Sequence, residues 1–129
     1  RRYPFPVFAQ EKYMPEDVVW MRMSGPYRML HVNKSIYICD YLEGGLTRTG
    51  RRMKIHSPRG MMLRSEIYLN AEKTCGKVKI KMMFLYQIYG WFAGYKSREL
   101  LEKTEQKGLW FICYLPSRIL YGIWKKKYT

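Results

Sequence analysis

The sequence predicts an α+β fold. A small antiparallel β-barrel or curved sheet is expected over about residues 18–82, followed by a helical, apolar C-terminal part. From Val18 to Met82, apolar and polar side chains tend to alternate with a period of two, the period of a half-buried strand. From Met83 onward, long uncharged runs replace this alternation. The 129 residues suffice for one hydrophobic core. We divide the chain into an N-terminal arm (1–17), a basic β-rich part (18–82) and an aromatic-rich helical C-terminal region (83–129).

The first 17 residues contain three of the six prolines, with aromatic residues between them. Proline lacks a backbone N–H and blocks helices and central strands, so this segment is expected to be an extended arm. It would pack either on its own domain or on a partner. The chain begins at Arg1 rather than at methionine. This is expected of a protein that has lost a basic import leader, or of a piece of a longer chain.

The predicted sheet consists of short strands separated by turns such as Ser24-Gly25-Pro26 and Ser57-Pro58-Arg59-Gly60. The expected strands cover residues 18–23, 27–32, 35–41, 51–56, 61–69 and 77–82. Successive side chains of a strand point to opposite faces, so Lys77, Lys79 and Lys81 would share one face. Arg52, Lys54 and His56 would share another. The alternation therefore predicts a flat cationic surface above an apolar one. The alternative is an ordinary solvated face, although such a face usually mixes both signs of charge.

Two apolar runs dominate the C-terminal part. Residues 82–95 carry no charge, and residues 109–124 carry only Arg118. The polar segment between them is expected to be helical, with Arg98→Glu102 and Glu99→Lys103 at i,i+4 spacing and Gly108 as its end. Pro116 is expected to interrupt the second run. Each run is either a buried core element or a segment in or on a bilayer, since tryptophans and lysines flank them as at membrane interfaces.

Charge is the strongest indication of a partner. The chain has 24 Lys and Arg against 10 Asp and Glu, a formal net charge of +14, and residues 44–64 contain six cations and no acid. A folded domain with this imbalance is expected to bind an anionic surface, first of all the phosphates of RNA. Anionic lipid and acidic proteins are the alternatives. The candidate RNA-binding residues are Arg48, Arg51, Arg52, Lys54, Arg59, Arg64, Lys77, Lys79, Lys81, Lys125, Lys126 and Lys127.

No catalytic motif is recognisable: the sequence lacks a nucleophile elbow, a phosphate-binding glycine loop and a zinc-protease motif. Cys39, Cys75 and Cys113 are far apart, and no zinc spacing exists. We therefore expect a protein that is not an enzyme, with no cofactor, no metal and no small-molecule substrate. An odd, sparse set of cysteines favours a reducing, intracellular location. Without an RNA-recognition motif, binding would follow the shape and backbone of RNA rather than its sequence.

These observations predict a structural subunit of a large ribonucleoprotein, with a mitochondrial ribosome as the best single expectation. Its partners would be ribosomal RNA and neighbouring subunits, on the matrix side. The alternative is an accessory subunit of a mitochondrial inner-membrane complex, with residues 83–95 and 109–124 in or on the bilayer. A third class is a soluble adaptor that binds acidic proteins.

Overall fold

The computed structural model describes residues 2–28, 30–35, 37 and 46–129, and for residues 46–49 the backbone alone. In these residues the regular structure is helical, and no strand is present. The helices are α1 (Asp17–Met23), α2 (Leu46–Ile55), α3 (Pro58–Asn70), α4 (Gly76–Phe92), α5 (Ser97–Lys103) and α6 (Lys107–Tyr128). The predicted α+β fold with a β-barrel or sheet over residues 18–82 is therefore wrong.

The predicted strand at residues 61–69 lies inside α3 because its alternation also fits a helix. Met61, Ser65 and Leu69 are buried and stand one turn apart. The segment is rich in methionine, leucine, arginine and glutamate, which have high helix propensity. Pro58, which was assigned to a turn, stands at the start of the helix, where its missing N–H costs nothing.

The predicted strand at residues 77–82 is the beginning of α4, which runs without a break to Phe92. The division at residue 82 therefore falls inside a helix. Lys77 and Lys81, four residues apart, lie on one side of α4, and Lys79 points away from them. At the end of α2, the His56 N–H donates to the Arg52 carbonyl one turn earlier, and Lys54 lies on the other side. The predicted cationic sheet face does not exist, because helical geometry separates the residues that a strand would align.

The predicted strands at 18–23, 27–32 and 51–56 are also wrong in the residues that the structure describes. Residues 18–23 belong to α1, and residues 51–55 belong to α2. The described part of 27–32 has no regular structure, and the 35–41 prediction falls largely outside the described residues. Within α2, Gly50 has φ 42° and ψ −109°, a left-handed conformation that favours glycine and interrupts the helix.

Helix α4 is the centre of the molecule. It packs against α3 on one side and α6 on the other; α5 also contacts α4, while α1 and α2 contact α3. Met83 and Ile88 of α4 are completely buried. A helix enclosed in this way needs apolar side chains around most of its circumference, which explains the uncharged run.

The polar segment before α6 contains α5, in which Arg98 and Glu102 form the expected i,i+4 ion pair at 3.0 Å. The helix ends earlier than expected, at Lys103, and Gly108 lies in the first turn of α6 instead. Pro116 does not interrupt α6, which continues through it to Tyr128. The apolar run 109–124 thus lies within one continuous helix.

Residues 2–16 form no helix or strand, and polar contacts hold this arm against α3. The Glu11 carboxylate accepts hydrogen bonds from the backbone N–H groups of Arg59 (2.7 Å) and Gly60 (2.8 Å), which begin α3. The Tyr13 N–H donates to Ser57 Oγ at 3.2 Å. A Cβ on Gly60 would lie 3.2 Å from the Tyr13 carbonyl oxygen, so the arm approaches the helix closely. Glu11 thereby satisfies free donors at the start of α3.

A second polar contact joins α1 to α3. Arg64 and Asp17 form an ion pair at 2.6 Å, and the Tyr68 hydroxyl donates to the same carboxylate oxygen at 3.1 Å. The Arg64 guanidinium also lies 5.1 Å from the Tyr68 ring centroid. Burial and the Asp17 charge raise the pKa of the Tyr68 hydroxyl. This network fixes the short helix α1 against α3.

Candidate interaction surface

Helix α6 packs against α4 through one face made mainly of aromatic side chains. Trp91 of α4 contacts Tyr114 and Tyr121 of α6, with ring centroids 5.9 and 5.5 Å apart. Tyr89 contacts Trp124 at 6.1 Å. The Gln87 side-chain amide donates to the Trp110 carbonyl at 2.7 Å. Edge-to-face aromatic pairs of this kind fix the two helices in one relative position.

The opposite side of α6 is apolar and exposed. We call this surface the outer face of α6; its members are Phe111, Ile112, Leu115, Ile119 and Ile123, and they are 54–76% exposed. Phe111 and Ile112 are adjacent, and Leu115, Ile119 and Ile123 follow at spacings of three or four residues, which places all five on one side of the helix. At 1.5 Å per residue the outer face is about 18 Å long. Exposed apolar surfaces are common sites of protein or membrane contact, so the outer face is a candidate interaction surface.

The charges on α6 surround the outer face rather than interrupt it. The helix contains no acidic residue, Lys107 begins it, and three lysines stand in its last turn. Arg118 turns back toward α4, with its guanidinium 4.8 Å from the Trp91 ring centroid and 5.8 Å from that of Tyr121. The outer face therefore stays apolar along its length and has cations at both ends.

One group of predicted RNA-binding residues comes together at the end of α6. The Arg51 guanidinium of α2 lies 4.6 Å from the Trp124 ring centroid. In the sequence, Trp124 is followed directly by Lys125, Lys126 and Lys127. Lys125 approaches the Tyr121 ring at 5.9 Å, and Lys127 the Tyr128 ring at 5.5 Å. We call these four cations the cationic end of α6. Among the described residues, no carboxylate lies within ion-pair distance of any of them.

The other predicted RNA-binding residues are dispersed. Arg64 is paired with Asp17, and half-buried Lys54 lines an open cleft of about 700 Å³ between the arm and α3. Exposed cations elsewhere are Arg52, Arg59, Lys77 and Lys81, whereas Lys79 is half-buried. The side chain of Arg48 lies outside the described residues.

Two buried groups between α4 and α6 have shifted pKa values. Burial raises the pKa of the Tyr89 hydroxyl to about 12, although nearby Arg51 and Arg64 oppose the shift. Burial also raises the pKa of the Cys113 thiol, which keeps it protonated and unreactive. In the described ranges no three His, Cys, Asp or Glu side chains are grouped as metal ligands would be. None of the described helices has the length and apolarity needed to cross a bilayer.

Two features of the structure are absent from the sequence predictions. The outer face of α6 is visible in the sequence as apolar residues spaced mostly by three or four. The prediction treated the whole run as either core or membrane segment and did not separate its two sides. Glu11 and Asp17, which bind α3, carry no local signal because their partners are more than 40 residues away.

Comparison with known proteins gives no relative: no protein-family model, curated protein or solved structure matches this chain. What the chain does must therefore be inferred from its own surface.

Proposed function

We propose that this chain is a non-catalytic accessory subunit of a mitochondrial inner-membrane complex, attached to the matrix side of the bilayer through the outer face of α6. The observation that carries the proposal is the outer face itself, which is apolar, exposed and bounded by cations. The helix would lie on the membrane with Ile and Leu side chains among the upper acyl chains and lysines near the phosphates.

The lack of polar side chains favours lipid over an acidic protein as the main occupant. A protein interface usually places polar side chains among its apolar contacts. The five side chains of the outer face include none. The remaining surface of the subunit would contact the rest of the complex.

The test is co-flotation of the 129-residue chain with phosphatidylcholine vesicles that contain anionic phosphatidylglycerol. We compare the wild type with the double variant Leu115→Ser/Ile119→Ser. Removing two exposed side chains from lipid contact is expected to weaken binding roughly a hundredfold, at about 1–2 kcal/mol each. Both residues are exposed, so circular dichroism should report an unchanged helix content.

The matched control is Val7→Ser/Leu30→Ser, which removes two side chains that are 87% and 86% exposed but lie outside α6. This control should bind vesicles as the wild type does. Equal loss in both variants would mean that general surface apolarity, and not the outer face, drives association. Unchanged binding of the α6 variant would contradict the proposal.

A second candidate function is the predicted one, a structural RNA-binding subunit of a ribonucleoprotein. Lys77 and Lys81 favour it, because they form an exposed cationic pair on α4, away from the outer face. Under this alternative, RNA affinity should fall steeply with salt, with a log–log slope near −0.7 per phosphate for single strands. Lys77→Gln/Lys81→Gln should reduce it, and Leu115→Ser/Ile119→Ser should leave it unchanged.

A further inference from the structure

The cationic end of α6 lies where the outer face ends. Lys126 follows Ile123 by three residues and Lys127 follows it by four, so both lysines continue the same side of the helix. Their long aliphatic stems allow the ammonium groups to reach phosphate level while the helix rests on apolar chains. The cations therefore begin at the point where the apolar contact stops.

Arg51 is the one cation of this cluster whose position is fixed by contacts with other helices. Its guanidinium belongs to α2 but stands over Trp124, whose ring is in turn held by Tyr89 of α4. Three helices thus determine where one guanidinium lies. Arginine presents a planar fork of donors that matches two phosphate oxygens, whereas the neighbouring lysines supply mobile point charges.

We propose that Arg51 and Lys125–Lys127 form a binding site for the phosphate headgroup of an anionic lipid. The proposal rests on the proposed function, since it presupposes that the outer face contacts a membrane. It adds a specific lipid class and an orientation: the C-terminal end of α6 is held at the phosphates and the outer face extends from there. Arg51 and Lys127, which follows Trp124 by three residues, would bind the phosphate, and Lys125 and Lys126 would neutralise adjacent headgroups.

The experiment measures the ratio of affinities for vesicles with and without phosphatidylglycerol. Two variants remove two charges each from the site: Arg51→Gln/Lys127→Gln, and Lys126→Gln/Lys127→Gln, which leaves the Arg51–Trp124 contact in place. At the usual contribution of a surface cation, each should lose roughly thirtyfold in preference for anionic vesicles. Binding to pure phosphatidylcholine vesicles should not change.

The matched control is Lys77→Gln/Lys81→Gln, which removes the same charge from exposed positions of α4. It should keep the preference within about threefold, the effect of a smaller net charge alone. An equal loss in the control would overturn the site in favour of general electrostatic attraction. If no form of the chain, the wild type included, binds either kind of vesicle, the proposed function is wrong, and the headgroup site with it.

Two further arms separate the sources of phosphate. Inorganic phosphate at a concentration equal to that of the lipid phosphate should not displace the chain from anionic vesicles. Displacement would assign the site to a free anion and overturn the proposal. If the site variants lose affinity for single-stranded RNA but keep their preference for anionic vesicles, the ligand is RNA and the proposal is wrong.

Discussion

The contact between the N-terminal arm and α3 differs in kind from the contact between α4 and α6. Glu11 and Asp17 hold the arm and α1 through a few directed hydrogen bonds and one ion pair. Aromatic rings and buried aliphatic side chains hold α4 and α6. Directed contacts can be lost one at a time, whereas an interdigitated interface fails as a unit.

The comparison also explains where the charge is displayed. Two of the ten acidic residues of the chain, Glu11 and Asp17, are turned toward α3. The α4–α6 pair contains no acidic residue at all. The cations of α6 therefore have no acidic partner on α4 or α6. Beside the arm, in contrast, Asp17 pairs with Arg64 and Glu11 binds backbone N–H groups of α3.

The largest effect is expected from Trp91→Ala, which removes the ring at the centre of the α4–α6 contact. Trp91 is 7% exposed, and it contacts Tyr114, Tyr121 and the Arg118 guanidinium. The free energy of unfolding should fall by about 3–5 kcal/mol in urea denaturation. The control Trp20→Ala removes a ring that is 53% exposed and should change stability by no more than about 0.5 kcal/mol. A similar loss in both would show that α4 and α6 are not the stable unit.

The next effect concerns alkaline pH. Because burial raises the pKa of Tyr89 to about 12 from its ordinary value near 10, the unfolded chain releases this proton first. The contribution of this proton to the free energy of unfolding is fully present below pH 10, and it should fall by roughly 2–3 kcal/mol as the pH rises to 12. Tyr89→Phe keeps the ring beside Trp124 and should remove that part of the decline in a pH series of urea titrations. Tyr37→Phe, at an exposed position, should not.

A smaller effect is expected where α1 meets α3. Asp17→Asn removes the charge that pairs with Arg64 and also accepts from Tyr68, so unfolding should become easier by about 1–2 kcal/mol. The exposed pair in α5 provides the comparison: Glu102→Gln should cost no more than about 0.5 kcal/mol. Equal costs, measured by urea denaturation at low salt, would mean that partial burial adds nothing to the Asp17 pair.

The smallest effect is expected at the arm. Glu11→Ala removes the acceptor at the start of α3 and should cost about 1 kcal/mol, the typical contribution of a helix cap. Hydrogen exchange should show faster exchange at the Arg59 and Gly60 amides, with little change in α4. Glu16→Ala is a suitable control, because its side chain is exposed and caps nothing. Faster exchange throughout α4 in Glu11→Ala would contradict the separation between the two regions.

Sequence patterns predicted the isolated features and failed where two periods fit the same residues. The Arg98–Glu102 pair and its helix followed from i,i+4 spacing alone and are confirmed. The sheet was wrong because lysines that alternate with apolar residues over 77–82 fit the start of a helix as well as a strand. The better signal was length, since no proline or glycine separates Lys77 from Tyr89, and the apolar run follows directly.

The candidate site was predictable only in part. The sequence identified Lys125–Lys127 and Arg51 as candidate contacts. It could not show that Arg51 of α2 contacts Trp124 of α6, whose ring also contacts Tyr89 of α4. Nor could it show that Arg64 is neutralised by Asp17, because this pairing depends on the packing of α1 against α3. Tertiary contacts decide which cations of a basic chain remain available.

Pro116 has a consequence for the proposed membrane contact of α6. Its ring nitrogen has no hydrogen to donate to the carbonyl of Ile112, one turn earlier and on the exposed side. In hydrocarbon an unsatisfied carbonyl costs several kcal/mol, whereas at the level of the headgroups water can solvate it. If the outer face contacts a bilayer as proposed, Pro116 would therefore limit the depth of insertion: the outer face would reach the first acyl carbons while the helix backbone stayed in the hydrated layer.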